Sequence, residues 1–509
     1  MAKKSKPPVR VRMYRQGLGD CFLLTFNVGS NAERHILIDC GTLGAKTTGV
    51  EIGDAVDDII ATTGSHIDLV IATHEHKDHV SAFNSQAKKF VDPATGKHKV
   101  DVDNVWMAWT ENPKDDLAKD IKKYKNDLGQ ALMAAITAIP EKSALASDVR
   151  ALLDFSDVDS PDQAAMAGLA ADKFAPTIDK AMHFVRKQLG PEAEYRLPGE
   201  VHELDWLPGF RVYVLGPPRD ETKLKVLGDH GSSELYGLAA AFSARAPRDA
   251  AAAASASDLQ RQADQESEMP FDRRYRAMHG DAEAFSADGR KWYPSYVEDR
   301  HDWRCIDGEW NNVAADLALQ LDSVTNNTSL ALAFERIADG KVLLFPADAQ
   351  QGNWVSWHDD TMKWTVKDKA GVKHTFTAED LLNRTVFYKV GHHGSHNATA
   401  KGKGLEMMTR ESELTAFIPV DRKVALNKGS SGWNMPARAL YKRLLEKCQG
   451  RVARSDIGLA DDAANAKDQA TEKELRDLAD AAQWKKWRTA QKASDVNDSN
   501  PLFLDYTLK

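Results

Sequence analysis

Short apolar runs separated by glycine and charged residues organise the first part of the chain. Residues 9–28 hold two such runs around a glycine turn, which predicts two strands joined by a turn. Residues 35–41 are a further apolar run that ends in aspartate and glycine. Residues 51–63 then repeat apolar positions at helical spacing, and residues 67–72 are typical of a buried strand. Strand, helix and strand in this order predict an α/β beginning.

Two later segments interrupt this pattern. Residues 111–190 are rich in alanine, lysine, aspartate and leucine, which predicts several helices. Residues 221–300 are polar with an alanine tract, which predicts a second insertion that is partly helical and partly mobile. The chain is therefore expected to divide into a first half of the core (9–110), a helical insertion (111–195), core strands (196–220), a second insertion (221–312), a second half of the core (313–455), and a charged helical tail with an edge strand (456–509).

Four potential metal ligands follow the apolar run at 67–72 within six residues: His74, His76, Asp78 and His79. Neutral imidazole and carboxylate groups are suitable donors for zinc and similar divalent ions. A loop at the carboxyl end of a strand is also where open α/β sheets place their chemistry. The plain alternative is a solvated loop that happens to be rich in histidine. The position directly after a strand favours a metal site.

Further ligand candidates stand at the ends of other apolar runs. They are Asp39 after the run at 35–38, Asp348 after 341–346, and His392, His393 and His396 after 385–390. Several strands that each deliver an acidic or imidazole group at their end are expected to converge on one site.

Composition narrows the class of protein without choosing its activity. The 509 residues are 42% hydrophobic and 28% charged, as in globular proteins. No apolar stretch approaches the roughly 18 residues of a membrane span, and no signal-peptide core is seen, so we expect a cytoplasmic protein without a membrane partner. The net charge of −8 argues against a surface that coats long nucleic acid, and the four scattered cysteines argue against a disulfide framework.

The ligand cluster and the motifs around it resemble the metallo-β-lactamase fold. The residues similar to that family's motifs are His74-x-His76-x-Asp78-His79, Asp39 in the preceding aspartate motif, Asp348 as the bridging carboxylate, and His393 as the last histidine ligand. A finer resemblance, to the hydrolase domain of ComEC-type DNA-uptake proteins, covers roughly residues 9–106, 200–220 and 313–450. It is carried by Gln16-Gly17-Leu18-Gly19-Asp20, Asn327-Thr328-Ser329-Leu330, Phe345-Pro346-Ala347-Asp348-Ala349 and Lys389-Val390-Gly391-His392-His393-Gly394-Ser395.

The resemblance implies an α/β (α+β) fold, a four-layer αββα sandwich with large helical insertions and two divalent ions at one edge. The ligands it implies are His74 and His76 for the first ion, Asp78, His79 and His393 for the second, and Asp348 between them. Zinc is the expected metal and manganese the alternative. Asp39 is expected to orient a ligand rather than to bind metal.

Two departures from the family pattern concern this site. No further histidine with a strand-end context completes the first ion's ligands, and Asn327 and Ser329 occupy that place, as in the ComEC-like group. The first site is therefore expected to be weak or completed by water. In addition, Ala347 precedes Asp348 where many relatives have glycine. Glycine allows backbone conformations that alanine resists.

The implied chemistry is hydrolysis. Two ions about 3.5–4 Å apart lower the pKa of a shared water and stabilise the attacking and leaving oxygens at phosphorus. Asp78 or Asp348 is the candidate proton acceptor, and His396 or Lys389 is the candidate to face the developing charge. Lys389 as an ordinary paired lysine and His396 as a turn residue are the plain alternatives. The residues expected to support the site or contact substrate are Asp20, Asp39, Asn327, Ser329, His392 and Ser395.

Three functions remain open at this point. The first is a metal-dependent phosphodiesterase or nuclease acting on a nucleotide or nucleic-acid substrate. The second is a carboxylic or thioester hydrolase, or a lactonase, on the same fold. The third is a non-catalytic, metal-stabilised binding scaffold, which the incomplete ligand set of the first ion would favour. The helical insertions could shape a substrate pocket or bind a protein partner.

Overall fold

Twenty β-strands and thirteen α-helices form the described part of the chain in the computed structural model. That part comprises residues 9–29, 32–44, 48–136, 144–155, 177–226, 309–367, 370–429, 432–459, 475 and 478–508. The mixed α/β class that the sequence predicts is confirmed. The second predicted insertion lies almost entirely outside the described residues.

The first sheet has eight strands. Their spatial order is β19 (Val496–Asn497), β20 (Phe503–Leu508), β1 (Val9–Tyr14), β2 (Cys21–Gly29), β3 (Ala32–Cys40), β5 (Leu69–Ala72), β7 (Val105–Ala108) and β8 (Glu194–Arg196). Strands β3, β5, β7 and β8 run parallel, and the other pairs are antiparallel. Beside it, β4 (His66–Ile67) pairs with β6 (Asp101–Val102). The predicted strand at 67–72 is thus divided at the buried Asp68.

The second sheet also has eight strands. Their spatial order is β18 (Gly458–Leu459), β17 (Val452–Arg454), β16 (Thr415–Ile418), β15 (Thr385–Lys389), β12 (Lys341–Phe345), β11 (Ala331–Arg336), β10 (Phe210–Gly216) and β9 (Val201–His202). Strands β12, β15, β16 and β17 run parallel. A separate hairpin joins β13 (Trp364–Lys367) to β14 (Lys373–Phe376).

The helices connect and cover these sheets. They are α1 (Ile52–Thr63), α2 (Lys77–Ser85), α3 (Ala87–Phe90), α4 (Asp116–Ile136), α5 (Ala144–Phe155), α6 (Thr177–Lys187), α7 (Glu221–Leu224), α8 (Glu309–Asn327), α9 (Gln351–Ser356), α10 (Ala378–Asn383), α11 (Arg422–Leu426), α12 (Arg438–Lys447) and α13 (Ala481–Lys492). Within the described ranges, each helix is too short or too polar to cross a bilayer. The first predicted insertion contains the helices α4, α5 and α6 in its described part, and its last residues enter β8.

The two sheets bury their apolar faces against each other. Phe22 of β2 and Phe345 of β12 meet across this core with ring centroids 5.8 Å apart, and Phe387 of β15 lies 5.0 Å from Tyr506 of β20. Because side chains alternate between the faces of a strand, Leu23 points to the opposite side of the first sheet. The alternation therefore creates a second core outside each sheet.

Helices fill these outer cores. On the first sheet, α1, α2 and α6 contribute buried apolar side chains such as Val56, Phe83 and Phe184. On the second sheet, Leu440 and Leu444 of α12 pack in the same cluster as Leu344 of β12. The insertion helices α4 and α5 pack together with α8 in a smaller cluster of their own.

The last strand of the described chain lies inside the first sheet. The sequence predicts an edge strand after a charged tail, but β20 pairs with β1 on one side and with the two-residue β19 on the other. A buried ion pair reinforces this contact, since Arg12 Nε lies 2.9 Å from Asp505 Oδ1. The C-terminal segment is therefore part of the core rather than an appended tail.

Loops from both sheets meet at one edge of the molecule. The loops after β5, β12 and β15 carry the predicted ligands. Strands β12 and β15 run parallel, so their carboxyl ends lie at the same end of the second sheet. Nε2 of His79, from the loop after β5, lies 3.1 Å from Asp348 Oδ2, from the loop after β12. The amide of Leu330, directly before β11, donates to the carbonyl of Thr73 at 2.9 Å. This bond joins the ligand loop of the first sheet to the second sheet.

Candidate metal centre

The loop between β5 and α2 holds its ligands through tight backbone packing. Helix α2 begins directly after His76, so Asp78 and His79 stand in its first turn. The carbonyl of Asp78 accepts a hydrogen bond from the amide of Asp20 at 2.9 Å. A Cβ on Gly41 would stand 2.3 Å from the same carbonyl oxygen, so only glycine fits there. The backbone around Asp78 is thereby fixed against the loops after β1 and β3.

Four buried side chains from three loops converge on one point. One ligand atom from each of Asp78, His79, Asp348 and His393 lies within 4.8 Å of the other three, and all four residues are fully buried. Nε2 of His79 is 3.1 Å from Asp348 Oδ2 and 3.5 Å from Asp78 Oδ2. Nε2 of His393 is 2.6 Å from Asp78 Oδ2. The two separations from His79 Nε2 resemble those of ligands around one tetrahedral ion, which are about 3.4 Å at metal–ligand distances near 2.1 Å. The 2.6 Å between His393 and Asp78 is the distance of a direct hydrogen bond.

Three buried atoms of this group have no hydrogen-bond partner within the described part of the protein: Nε2 of His79, Oδ2 of Asp348 and Oδ1 of Asp78. The first two face each other at 3.1 Å as an ion pair that lacks hydrogen-bond geometry. Leaving a buried polar atom unsatisfied costs free energy, so such atoms call for an explanation. A divalent ion would satisfy the first two directly. The donor set therefore fits a metal.

Supporting groups fix both histidines so that Nε2 points into the cluster. Nδ1 of His79 is 2.7 Å from Asp39 Oδ2, and Nδ1 of His393 is 2.6 Å from the carbonyl oxygen of Pro419. Asp39 also accepts hydrogen bonds from the amide and the hydroxyl of Thr73, at 2.8 and 2.7 Å. A carboxylate or carbonyl that takes the Nδ1 proton leaves the Nε2 lone pair for a metal. Asp39 therefore fixes the orientation of the His79 ring.

The predicted ligands of the first ion form a pair. Nε2 of His74 and Nδ1 of His76 face each other at 3.1 Å, a separation that suits two ligands of one ion. Burial lowers the pKa of His76 to about 3, and burial together with the nearby histidines lowers the pKa of His74 well below its ordinary value. Both rings are therefore neutral, as metal ligands must be. Within the described ranges, no third His, Cys, Asp or Glu completes this pair at ligand spacing.

Negative charge exceeds positive charge around the cluster. Nζ of Lys389 is 2.5 Å from Asp20 Oδ2 and 3.0 Å from Asp348 Oδ1, and it is 1% exposed. Asp39 and Asp78 are two further buried carboxylates of this region, whereas the lysine contacts only Asp20, Asp348 and the carbonyl of Ala347 among the described residues. Burial alone would lower the pKa of His79, but the surrounding carboxylates, Asp348 first, raise it well above its ordinary value. A bound cation would compensate the same excess charge.

Backbone strain concentrates at this site. Six residues other than glycine adopt positive φ in the described chain, and four of them belong here: Asp39 (55°), Ala347 (52°), His392 (43°) and His393 (53°). Such conformations cost on the order of 1–3 kcal/mol each and persist only where the surroundings enforce them. Ala347 therefore adopts the geometry that glycine would have made easy.

The remaining predicted residues lie around the cluster in different ways. The amide of His392 donates to Asp348 Oδ1 at 2.8 Å, and Oγ of Ser329 accepts from the amide of Asp348 at 3.2 Å. Asn327 has a purely architectural set of bonds: its Nδ2 donates to the carbonyls of Leu224 and Val226.

Two predicted residues lie further out. Ser395 donates to Asn397 Oδ1 at 2.8 Å and caps no helix, because a turn follows the loop. His396 is exposed and belongs to none of the candidate metal groups found among the described residues. Its predicted catalytic role therefore finds no support in the buried cluster.

Several groups near the site carry no sequence signal of their own. The Pro419 carbonyl could not be anticipated from its residue type. Sequence patterns also did not indicate a buried charge cluster beside the site. In it, Glu75, which lies between His74 and His76, pairs with Lys125 of α4. Glu111, after β7, pairs with Arg186 of α6. Burial and the neighbouring Glu75 carboxylate raise the pKa of Glu111 to about 7.

Comparison with known proteins does not identify this arrangement. No protein-family model matches the chain, and a search of the curated proteins finds no match. What the site can do is therefore decided by its own donor atoms, charge and burial. These define a buried cluster of carboxylate and imidazole groups that can hold a metal ion.

Proposed function

We propose that the protein is a metal-dependent hydrolase that cleaves phosphodiester bonds with a water activated at a dinuclear site. One observation carries the proposal: a four-ligand cluster of Asp78, His79, Asp348 and His393 stands beside a histidine pair formed by residues 74 and 76. The succession of helices, sheet, sheet and helices supports the metallo-β-lactamase sandwich that the sequence motifs suggest.

The donor set indicates which metal the site would take. Four imidazoles and two carboxylates are ligands that zinc prefers and that manganese accepts. Two such ions, when bound, would lower the pKa of a water and neutralise charge on the attacked phosphorus centre. We therefore expect zinc first and manganese as the alternative.

The chain's own residues supply orientation, charge and a proton acceptor. Asp39 and the Pro419 carbonyl hold the two Nε2 atoms toward the cluster. Oδ1 of Asp78, which is buried and lacks a hydrogen bond among the described residues, is the free oxygen best placed to accept a proton. Lys389 is fully occupied by Asp20 and Asp348, so we assign it the role of balancing their charge rather than contacting substrate.

A metal analysis and one substrate assay test the proposal. Purified protein should contain about two zinc or manganese ions per chain and should hydrolyse bis(p-nitrophenyl) phosphate. Chelation should abolish this activity, and added metal should restore it. His76→Ala should lose most turnover, whereas the matched control His98→Ala, at an exposed histidine, should keep it.

The opposite results are equally clear. Less than half an ion per chain, or full diesterase turnover in His76→Ala, would show that the assigned site is wrong. A panel of single-stranded DNA, RNA, cyclic dinucleotides and lactones then places the substrate. Hydrolysis of lactones without hydrolysis of any phosphodiester would replace the proposed reaction by acyl hydrolysis at the same centre.

A further inference from the structure

A lysine interrupts the apolar face of the longest insertion helix. On α4, the buried residues Ile121, Leu128 and Leu132 form a stripe at helical spacing. Lys125 lies within this stripe, and its side chain is 7% exposed. An apolar residue is the ordinary choice at such a position, because burying an unpaired ammonium group is costly. The lysine therefore needs a partner inside the protein.

That partner comes from the ligand loop. Nζ of Lys125 donates to Oε1 of Glu75, the residue between His74 and His76. The Glu75 carboxylate is 18% exposed, so the pair is largely shielded from water. The metal loop is thus connected to a helix that lies outside the two sheets.

A second carboxylate extends the connection to another insertion helix. Glu111, in the turn after β7, is buried and lies near enough to Glu75 that burial and the Glu75 charge together raise the pKa of Glu111. Arg186 of α6 lies 3.4 Å from Glu111 Oε2. Two carboxylates from the sheet edge therefore face two cations from the insertion, Lys125 and Arg186.

Apolar packing holds α4 where Lys125 can reach Glu75. Ile121 lies in one apolar cluster with Trp109 of the turn after β7 and with Val324 of α8. Leu128 and Leu132 of α4 lie in another cluster with Leu317 of α8. The lysine is therefore delivered to Glu75 by a helix anchored on both sides of it.

We infer that the insertion helix α4 positions the first-ion half of the metal centre, through the ion pair between Lys125 and Glu75. This inference rests on the proposed dinuclear site. A buried ion pair adds little net stability compared with apolar residues of similar size. What it does add is a fixed direction, and here it fixes the backbone between two histidines that lack a third His, Cys, Asp or Glu ligand among the described residues. Lys125 and Glu75 are positioning residues and contact no substrate.

Metal affinity tests this role separately from catalysis. Zinc is titrated into the metal-free protein in competition with a chromophoric chelator, and the class of sites that His76→Ala abolishes is assigned to the first ion. Lys125→Met, which keeps the apolar stem, should weaken this class roughly 10–100-fold, the usual effect of losing a group that orients a ligand. It should leave the second class unchanged. Lys123→Met removes an exposed lysine two residues away, paired with Asp127 of its own helix, and should change neither class.

A double-variant cycle and a conservative change complete the test. Glu75→Gln should lower the affinity for the first ion to a similar extent. The double variant, Lys125→Met with Glu75→Gln, should bind the first ion no more weakly than either single variant. Lys125→Arg should recover most of the affinity. Should Lys125→Met fail to fold, Glu75→Gln decides the question.

The results that would overturn the inference are distinct from those that would overturn the function. First-ion affinity unchanged in Glu75→Gln, or both classes weakened equally, would overturn the positioning role alone, whereas the absence of a first-ion class in the wild type would overturn the dinuclear site itself. A parallel fall in the melting temperature of the metal-free variants with unchanged metal affinity would show an ordinary structural pair. Normal metal binding without hydrolysis of any phosphodiester would overturn the proposed reaction and leave the positioning role intact.

Discussion

Replacing Glu111 by glutamine should flatten the dependence of the protein's stability on pH. In the folded protein the pKa of this carboxyl is raised from 4.5 to about 7 by burial and by Glu75. Between these pH values the folded protein holds a proton on Glu111 that the unfolded chain has released. Stability therefore falls as the pH rises through this window. Glutamine resembles the protonated acid in shape and carries no charge, so Glu111→Gln removes this loss.

The magnitude follows from the size of the shift. At about 1.4 kcal/mol per pH unit, a rise from 4.5 to about 7 corresponds to about 3 kcal/mol. The side chain is 5% exposed, so solvent screening reduces this figure little. Relative to the wild type, Glu111→Gln should gain about 3 kcal/mol in the free energy of unfolding between pH 5 and pH 8.

Urea unfolding of the metal-free protein, followed by tryptophan fluorescence at several pH values, measures this gain. The matched control is Glu192→Gln at an exposed carboxylate paired with Lys187, which should not gain stability over the window. If wild type and Glu111→Gln lose the same stability from pH 5 to pH 8, the carboxyl is not protonated in the folded protein. The assigned electrostatics of the charge cluster would then be wrong.

Three further substitutions probe the metal centre directly. Asp39→Asn should weaken binding of the second ion roughly 10–100-fold in a chelator competition, because it removes the acceptor that orients His79. Lys389→Met should lower the stability of the metal-free protein by about 3–5 kcal/mol in urea unfolding, since it leaves Asp20 and Asp348 as buried carboxylates without their cation; a smaller loss in the zinc-bound protein would confirm that metal compensates the same charge. Gly41→Ala should reduce the metal content measured by elemental analysis, as its Cβ would collide with the Asp78 carbonyl; unchanged content would show that the loop can shift at no cost.

Local patterns predict the strands and helices near the site well, because each carries its own signal. The helix predicted at 51–63 is observed as α1, and the run at 385–390 as β15. The division at Asp68 was not predicted, since it depends on a tertiary contact: Asp68 accepts a hydrogen bond from the amide of His35 at 2.7 Å. The sequence likewise does not reveal that residues 503–508 pair with residues 9–14, because nothing local to either segment names its partner.

The candidate site divides in the same way. Residue types that bind metals, placed after strands, predict the convergence of Asp78, His79, Asp348 and His393. The groups that orient these ligands are less predictable. The Pro419 carbonyl that contacts His393 is one example, because every residue type has a backbone carbonyl. Lys125 did leave a trace, as one lysine within an apolar helical stripe. Only the three-dimensional arrangement shows that its partner is Glu75, 50 positions earlier in the chain.

The pairing of β1 with β20 has a consequence for how the protein is made. Arg12 and Asp505 form their ion pair across 493 positions of sequence. At about 5–20 residues per second, synthesis leaves the edge of β1 without its partner for tens of seconds. An unpaired edge is a template for association with other chains, although the arginines at positions 10 and 12 place charge along it. Slower synthesis should therefore prolong the period in which the nascent chain is prone to aggregate, and the yield of folded protein should depend on what protects β1 until residue 508 emerges.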